Sequence, residues 1–150
     1  MTMMFSSRMA VLILVLAATG CATTSGPTQY GNYLKDQPIS VDQQIANDAL
    51  KQLAMLYPPA KTHLTLKQPT PDVFGSELVK GLREAGYALQ EYSPKADTVD
   101  AGLPLMYVLD QAKEDRLYRL TIQIGNQAIN RPYRQEQGTV TPAGYWARKE

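Results

Sequence analysis

A chain of 150 residues with a formal net charge of +1 has room for one domain. It lacks the charge excess expected of a nucleic-acid binder, which wants a clustered basic face. With one cysteine and one histidine the chain cannot close an internal disulfide or assemble a Cys/His metal centre. Nine Tyr and one Trp against two Phe point to half-buried aromatic positions, common on sheet faces and at interfaces.

The first readable segment is the amino terminus. Arg8 precedes about ten apolar residues, from Met9 to Ala18, and Thr19-Gly20 lead to Cys21. A positive charge, a short apolar run and a small-residue exit are the three parts of a secretory signal. The run falls well short of the roughly 20 apolar residues that span a bilayer. Thr19-Gly20-Cys21 resembles the lipobox of bacterial lipoproteins, with Ala18 at the position where that family usually has Leu. The resemblance implies cleavage between Gly20 and Cys21, a diacylglycerol on the Cys21 thiol and acylation of the new amino terminus. An ordinary signal followed by an incidental cysteine is the alternative reading. Removing residues 1–20 and Arg8 with them leaves 130 residues of near-zero charge, expected to lie outside the cytoplasm.

Residues 21–39 are small and polar at their start and read as a lipidated N-terminus followed by a flexible tether. Tyr30, Tyr33 and Leu34 within that stretch are either idle or packed on a partner. A single domain is expected over residues 40–150. Ser40 followed by Gln43 reads as a capping box opening a helix. Its apolar stripe is Val41, Ile45, Ala49, Leu53 and Leu56, and Tyr57-Pro58-Pro59 ends it. Residues 61–67 alternate as a half-buried strand around Leu64 and Leu66. A second helix is expected from Thr70, with Pro71 at its first position, the stripe Phe74, Leu78, Leu82 and Ala85, and Gly86 as its terminator.

Residues 87–92 then form a strand and residues 93–102 a polar loop. Residues 103–109 are a largely apolar strand, followed by a turn over residues 110–115. Tyr118, Leu120, Ile122 and Ile124 alternate with polar residues as a two-faced strand. Gly125-Asn126 turns into residues 127–134, where Pro132 suggests an edge strand. A last extended piece covers residues 139–147, interrupted by Pro142 and Gly144. Together these elements predict an α+β fold, two helices packed on a small mixed or antiparallel sheet.

Residues with chemical potential are few. His63 lies on the polar side of a strand and has no nucleophile motif to serve. Glu77, Glu84, Asp110 and Asp115 are the candidates for a paired-acid site, and Glu77 and Glu84 read more naturally as a solvated helix face. Gly75, Gly81 and Gly86 belong to a helix and its end, where they cannot cradle a phosphate. Tyr145-Trp146 is the densest aromatic pair, either a partner interface or a cap on the domain's own core. Edge strands offer a second mode of partner binding, through backbone hydrogen bonds.

Several blocks, in order along the chain, resemble the TrbH family of conjugal-transfer lipoproteins. They are Asn47-Asp48-Ala49-Leu50-Lys51-Gln52-Leu53-Ala54 with Tyr57-Pro58-Pro59-Ala60-Lys61, Gly81-Leu82-Arg83-Glu84-Ala85-Gly86-Tyr87, Tyr107-Val108-Leu109-Asp110, Leu117-Tyr118-Arg119-Leu120-Thr121, and Pro142-Ala143-Gly144-Tyr145-Trp146-Ala147. The resemblance implies a non-enzymatic outer-membrane lipoprotein, facing the periplasm, that is a structural part of a plasmid conjugation channel of the type IV secretion class. Its partners would be other channel subunits, and the membrane through the lipid anchor. It would take no nucleic acid, no small-molecule substrate and no cofactor beyond the covalent lipid on Cys21. The residue after Cys21 is Ala22 and not the Asp that resembles an inner-membrane retention signal, which favours the outer membrane. The order of elements also resembles the N0-type domains of secretins and secretion-system lipoproteins. A surface-exclusion lipoprotein and a periplasmic cell-wall hydrolase are the alternatives.

Overall fold

A computed structural model describes residues 30–94, 102–112 and 117–149. The fold is α+β, with two helices on one face of an open mixed sheet of eight strands. The strands are β1 (Gly31–Asn32), β2 (His63–Leu66), β3 (Ala88–Gln90), β4 (Leu103–Gln111), β5 (Leu117–Ile124), β6 (Gln127–Glu136), β7 (Thr139–Pro142) and β8 (Ala147–Lys149). The helices are α1 (Ile39–Leu56) and α2 (Val73–Glu84).

The first half of the chain builds parallel structure. β2 pairs in parallel with both β3 and β4, and β1 pairs in parallel with β4 further along the same edge. Each helix therefore carries the chain back from the end of one parallel strand to the start of another. The helices consequently run side by side in one direction, with Gln43 beside Glu77 and Leu50 against Gly81. The second half is an antiparallel meander, β4-β5-β6, in which β7 and β8 lie end to end along the far side of β6.

α1 packs its stripe of Val41, Ile45, Ala49 and Leu53 onto the sheet, and all four side chains are buried. Its start differs from the expected capping box. The N-cap is Pro38, without a side-chain cap, and Ser40 lies inside the first turn. The Ser40 hydroxyl instead donates to the Gly138 carbonyl, and the Gln43 amide donates to Glu77. α2 starts later than expected, at Val73. Asp72 is the N-cap and accepts from the Gly75 amide at 2.9 Å, so Pro71 lies before the cap. A carboxylate satisfies an orphan amide and complements the positive end of the helix dipole, which explains why Asp72 takes the cap.

Gly86 ends α2 as expected, at φ +88°. The Gly86 amide reaches the Arg83 carbonyl and the Tyr87 amide reaches that of Leu82, the paired bonds of a Schellman motif, and Tyr87 is buried behind it.

The sheet has two unlike faces. Leu105, Tyr107 and Leu109 of β4, Leu120 and Ile122 of β5, and Ile129 and Tyr133 of β6 are buried beneath the helices. The alternating residues Met106, Val108, Thr121, Gln123, Ala128 and Asn130 face the other way and are half-buried, with no helix over them. β4 and β6 depart from expectation. β4 runs on to Gln111, where a turn from residue 110 was expected, because Asp110 and Gln111 pair with Arg119 and Tyr118. The expected position of Asp115 lies outside the described residues. β6 is an interior strand, although Pro132 suggests an edge. Pro132 falls in the gap between β7 and β8, so its missing N–H leaves no ladder bond unmade.

Residues 30–38 belong to the folded unit, which departs from a tether reaching to residue 39. The Tyr30 hydroxyl donates to Gln123 at 2.9 Å, the Tyr33 amide donates to the Leu109 carbonyl, and Leu34 packs against the core. Tyr33 is 45% exposed.

Candidate functional site

The Gly20–Cys21 junction lies outside the described residues. Tyr145 and Trp146 lie at a corner where the chain passes from β7 to β8. β6 turns Arg131 toward the helices between buried Ile129 and Tyr133. There its guanidinium donates twice to Asp48 of α1, at 2.8 and 3.0 Å, and the Tyr133 hydroxyl donates to the same carboxylate at 2.7 Å. Arg131 Nε also donates to the Gly144 carbonyl at 2.9 Å, and the guanidinium carbon sits 5.8 Å from the Trp146 ring centroid. The Ala143 amide donates to the Pro132 carbonyl.

These bonds fix the kink on both sides of Tyr145. Trp146 is half-buried and packs against the core, while Tyr145 is 93% exposed. Trp146 thus caps the core, and its neighbour Tyr145 is held out in water.

The edge beside this corner is largely closed to strand addition. The Val140 amide points away from β6 and donates to the Gln44 side chain of α1 at 3.2 Å. Pro142, the next β7 residue with that orientation, has no N–H. A covering helix and a proline are two ways in which sheets protect an edge.

The acidic candidates do not meet. Asp110 faces the uncovered side of the sheet in a bidentate pair with Arg119, at 2.6 and 3.1 Å. Glu77 and Glu84 lie on α2, over the opposite face, in a groove of about 440 Å³ between the helices that also contains Lys80. His63 is half-buried at the start of β2, in register with Ala88. No group of three or more His, Cys, Asp or Glu side chains could hold a metal among the described residues.

The polar groups that organise the interior escaped the sequence reading. Asp42 is 2% exposed and accepts from Asn32 at 2.7 Å and Gln37 at 2.8 Å, clipping residues 31–37 to α1. Burial raises its pKa above the ordinary carboxylate value; the two amide bonds oppose that rise, and the charge of Asp72 adds to it. Tyr107 donates to Asp72 at 2.6 Å, and its ring meets Phe74 edge-on at 4.9 Å between centroids. Burial, then the neighbouring carboxylates, push the Tyr107 and Tyr133 hydroxyls well above the usual tyrosine range, so both remain protonated donors. One signal was available: Asp42 precedes Ile45, Ala46 and Ala49 by three, four and seven residues, placing an acid on the buried face.

A family model described as conjugal transfer protein TrbH matches residues 27–150. The chain belongs to that family. No curated protein and no solved structure is significantly similar to it. TrbH membership assigns the chain to conjugal transfer. The matched span takes in Tyr30, the clip on Asp42, both helices and the Tyr145-Trp146 corner. It therefore includes residues 30–38, which the structure packs onto the helices and sheet.

Proposed function

We propose that this chain is an outer-membrane lipoprotein, anchored through acylated Cys21, that acts as a structural and non-enzymatic component of a conjugal-transfer channel. The observation that carries the proposal is the family match over residues 27–150, joined to a lipobox-like Thr19-Gly20-Cys21 immediately upstream. The periplasmic domain docks against other channel subunits, and Tyr145 is the residue best placed to anchor such a contact. An exposed aromatic held on a rigid kink loses little conformational freedom when it enters a pocket. The only ligand the proposal requires is the covalent lipid, since a single acyl chain holds a protein marginally and two or more hold it stably.

Deleting the gene from donor cells tests this reading against surface exclusion. A channel component predicts loss of DNA transfer from the donor. Normal transfer, with recipients that no longer resist a second plasmid, would instead make the chain an exclusion lipoprotein.

A further inference from the structure

We propose that the uncovered face of the sheet is the membrane side of the domain and rests against the lipid headgroups of the bilayer that holds Cys21. The inference rests on the reading of Cys21 as the anchor and adds an orientation to it.

The first observation concerns the amino-terminal end of the described residues. Tyr30 begins the described domain, and its hydroxyl is bonded to Gln123, which alternates with buried Ile122 and Ile124 and so faces away from the helices. Nine residue steps separate Cys21 from Tyr30. Nine steps span at most about 30 Å when fully extended. Turning the helices to the membrane would send that chain around a sheet edge and past about 20 Å of sheet and helix. Turning the open face to the membrane needs no such detour.

The second observation is the chemistry of the two sides. Cross-strand register places Met106, Gln123 and Ala128 in one row of the open face, and Val108, Thr121, Asn130 and Ala147 in the next. The first row ends on Lys149, in register with Ala128 at the sheet margin, and the second carries no charge. The flanking row holds Asp110 and Arg119, which are paired with each other. Arg134, Glu136 and Lys149 lie at the margins of this face. Small uncharged side chains bordered by Arg and Lys suit a phosphate-bearing headgroup layer, and a tyrosine such as Tyr30 suits the membrane–water boundary. The helix side instead presents Lys51, Glu77, Lys80 and Glu84, which suits water and aqueous partners.

Acylation of Cys21 would leave an introduced cysteine as the sole thiol, which makes the orientation measurable. The mature acylated chain is added to phosphatidylethanolamine–phosphatidylglycerol vesicles carrying a headgroup-linked quencher. Separate variants carry a fluorophore at Thr121→Cys, Asn130→Cys, Lys51→Cys or Lys80→Cys. Quenching at the two sheet positions is expected to exceed that at the two helix positions by at least threefold. Equal quenching on both sides, or stronger quenching at Lys51 and Lys80, overturns the proposal.

Sheet labels already shielded from a water-soluble quencher before vesicles are added, in a chain sedimenting as a dimer, would assign the face to a second copy and also overturn it. The same four positions are read in a Cys21→Ser chain held by an N-terminal hexahistidine on nickel-chelating lipid. That arm reports the orientation even if the acylated chain fails to bind vesicles, a result that would count against the anchor alone.

Discussion

Two aspartates, Asp72 at the cap of α2 and Asp48 on α1, each accept a hydrogen bond from a buried tyrosine of the sheet, Tyr107 and Tyr133. These pairs give the tyrosine-rich composition a structural purpose: the ring fills the core and the hydroxyl ties a helix to the layer beneath. Hydrogen bonds to charged groups contribute about 1.5–3 kcal/mol. Tyr107→Phe should cost about 2 kcal/mol in urea unfolding, because Asp72 then keeps only the Gly75 amide. Tyr133→Phe should cost less, about 1 kcal/mol, because Arg131 still holds Asp48 in two bonds. Asp42 makes a pH-dependent prediction. Its pKa is raised on folding, so the folded chain binds the proton more tightly than the unfolded chain. The stability this contributes is fully present below the ordinary carboxylate pKa and is lost as pH rises through the raised value. The urea midpoint of the native chain, measured relative to that of Asp42→Asn, should therefore fall as pH is raised from acid toward neutrality. A relative midpoint that rises over that range would show that the amide donors outweigh burial.

Among the elements, those built by local rules were legible in advance. The stripes of α1 and α2, the glycine that ends α2 and the two-faced strand β5 follow from spacing and from the conformational freedom of Gly86. The rest depends on contacts between distant residues. Tyr133 and Asp48 lie 85 residues apart, and Val140 and Gln44 lie 96 apart. β1 has two residues and no alternation to read, so its parallel pairing with β4 leaves no local signal. Pro132 signals a break in the ladder, but it cannot say whether the strand lies at an edge or beside a gap. The corner site divides the same way: the aromatic pair stands out in the chain, while its pedestal of Arg131 and Asp48 needs the fold. The protected β7 edge gives the prediction at this scale. Gln44→Ala combined with Pro142→Thr should expose outward amides and produce concentration-dependent self-association in sedimentation, with each single change having a smaller effect. A double variant that stays monomeric would mean that α1 shields the edge by bulk alone.

For the molecule as a whole, the described fold reaches back to Tyr30, so a lipid on Cys21 would hold it within about 30 Å of the membrane. On the proposed function, that proximity would keep the Tyr145 corner close to membrane-bound partners, whereas a released copy would be diluted. Family membership supplies the process, conjugal transfer, and the amino-terminal pattern supplies the proposed anchor. The most direct test of their union is the frequency of DNA transfer from donors in which Cys21→Ser replaces the native chain, with the amount of folded domain matched by immunoblot. The account predicts a domain lost from the membrane fraction and transfer reduced to the level of the gene deletion. Full transfer from a domain that has left the membrane would contradict it.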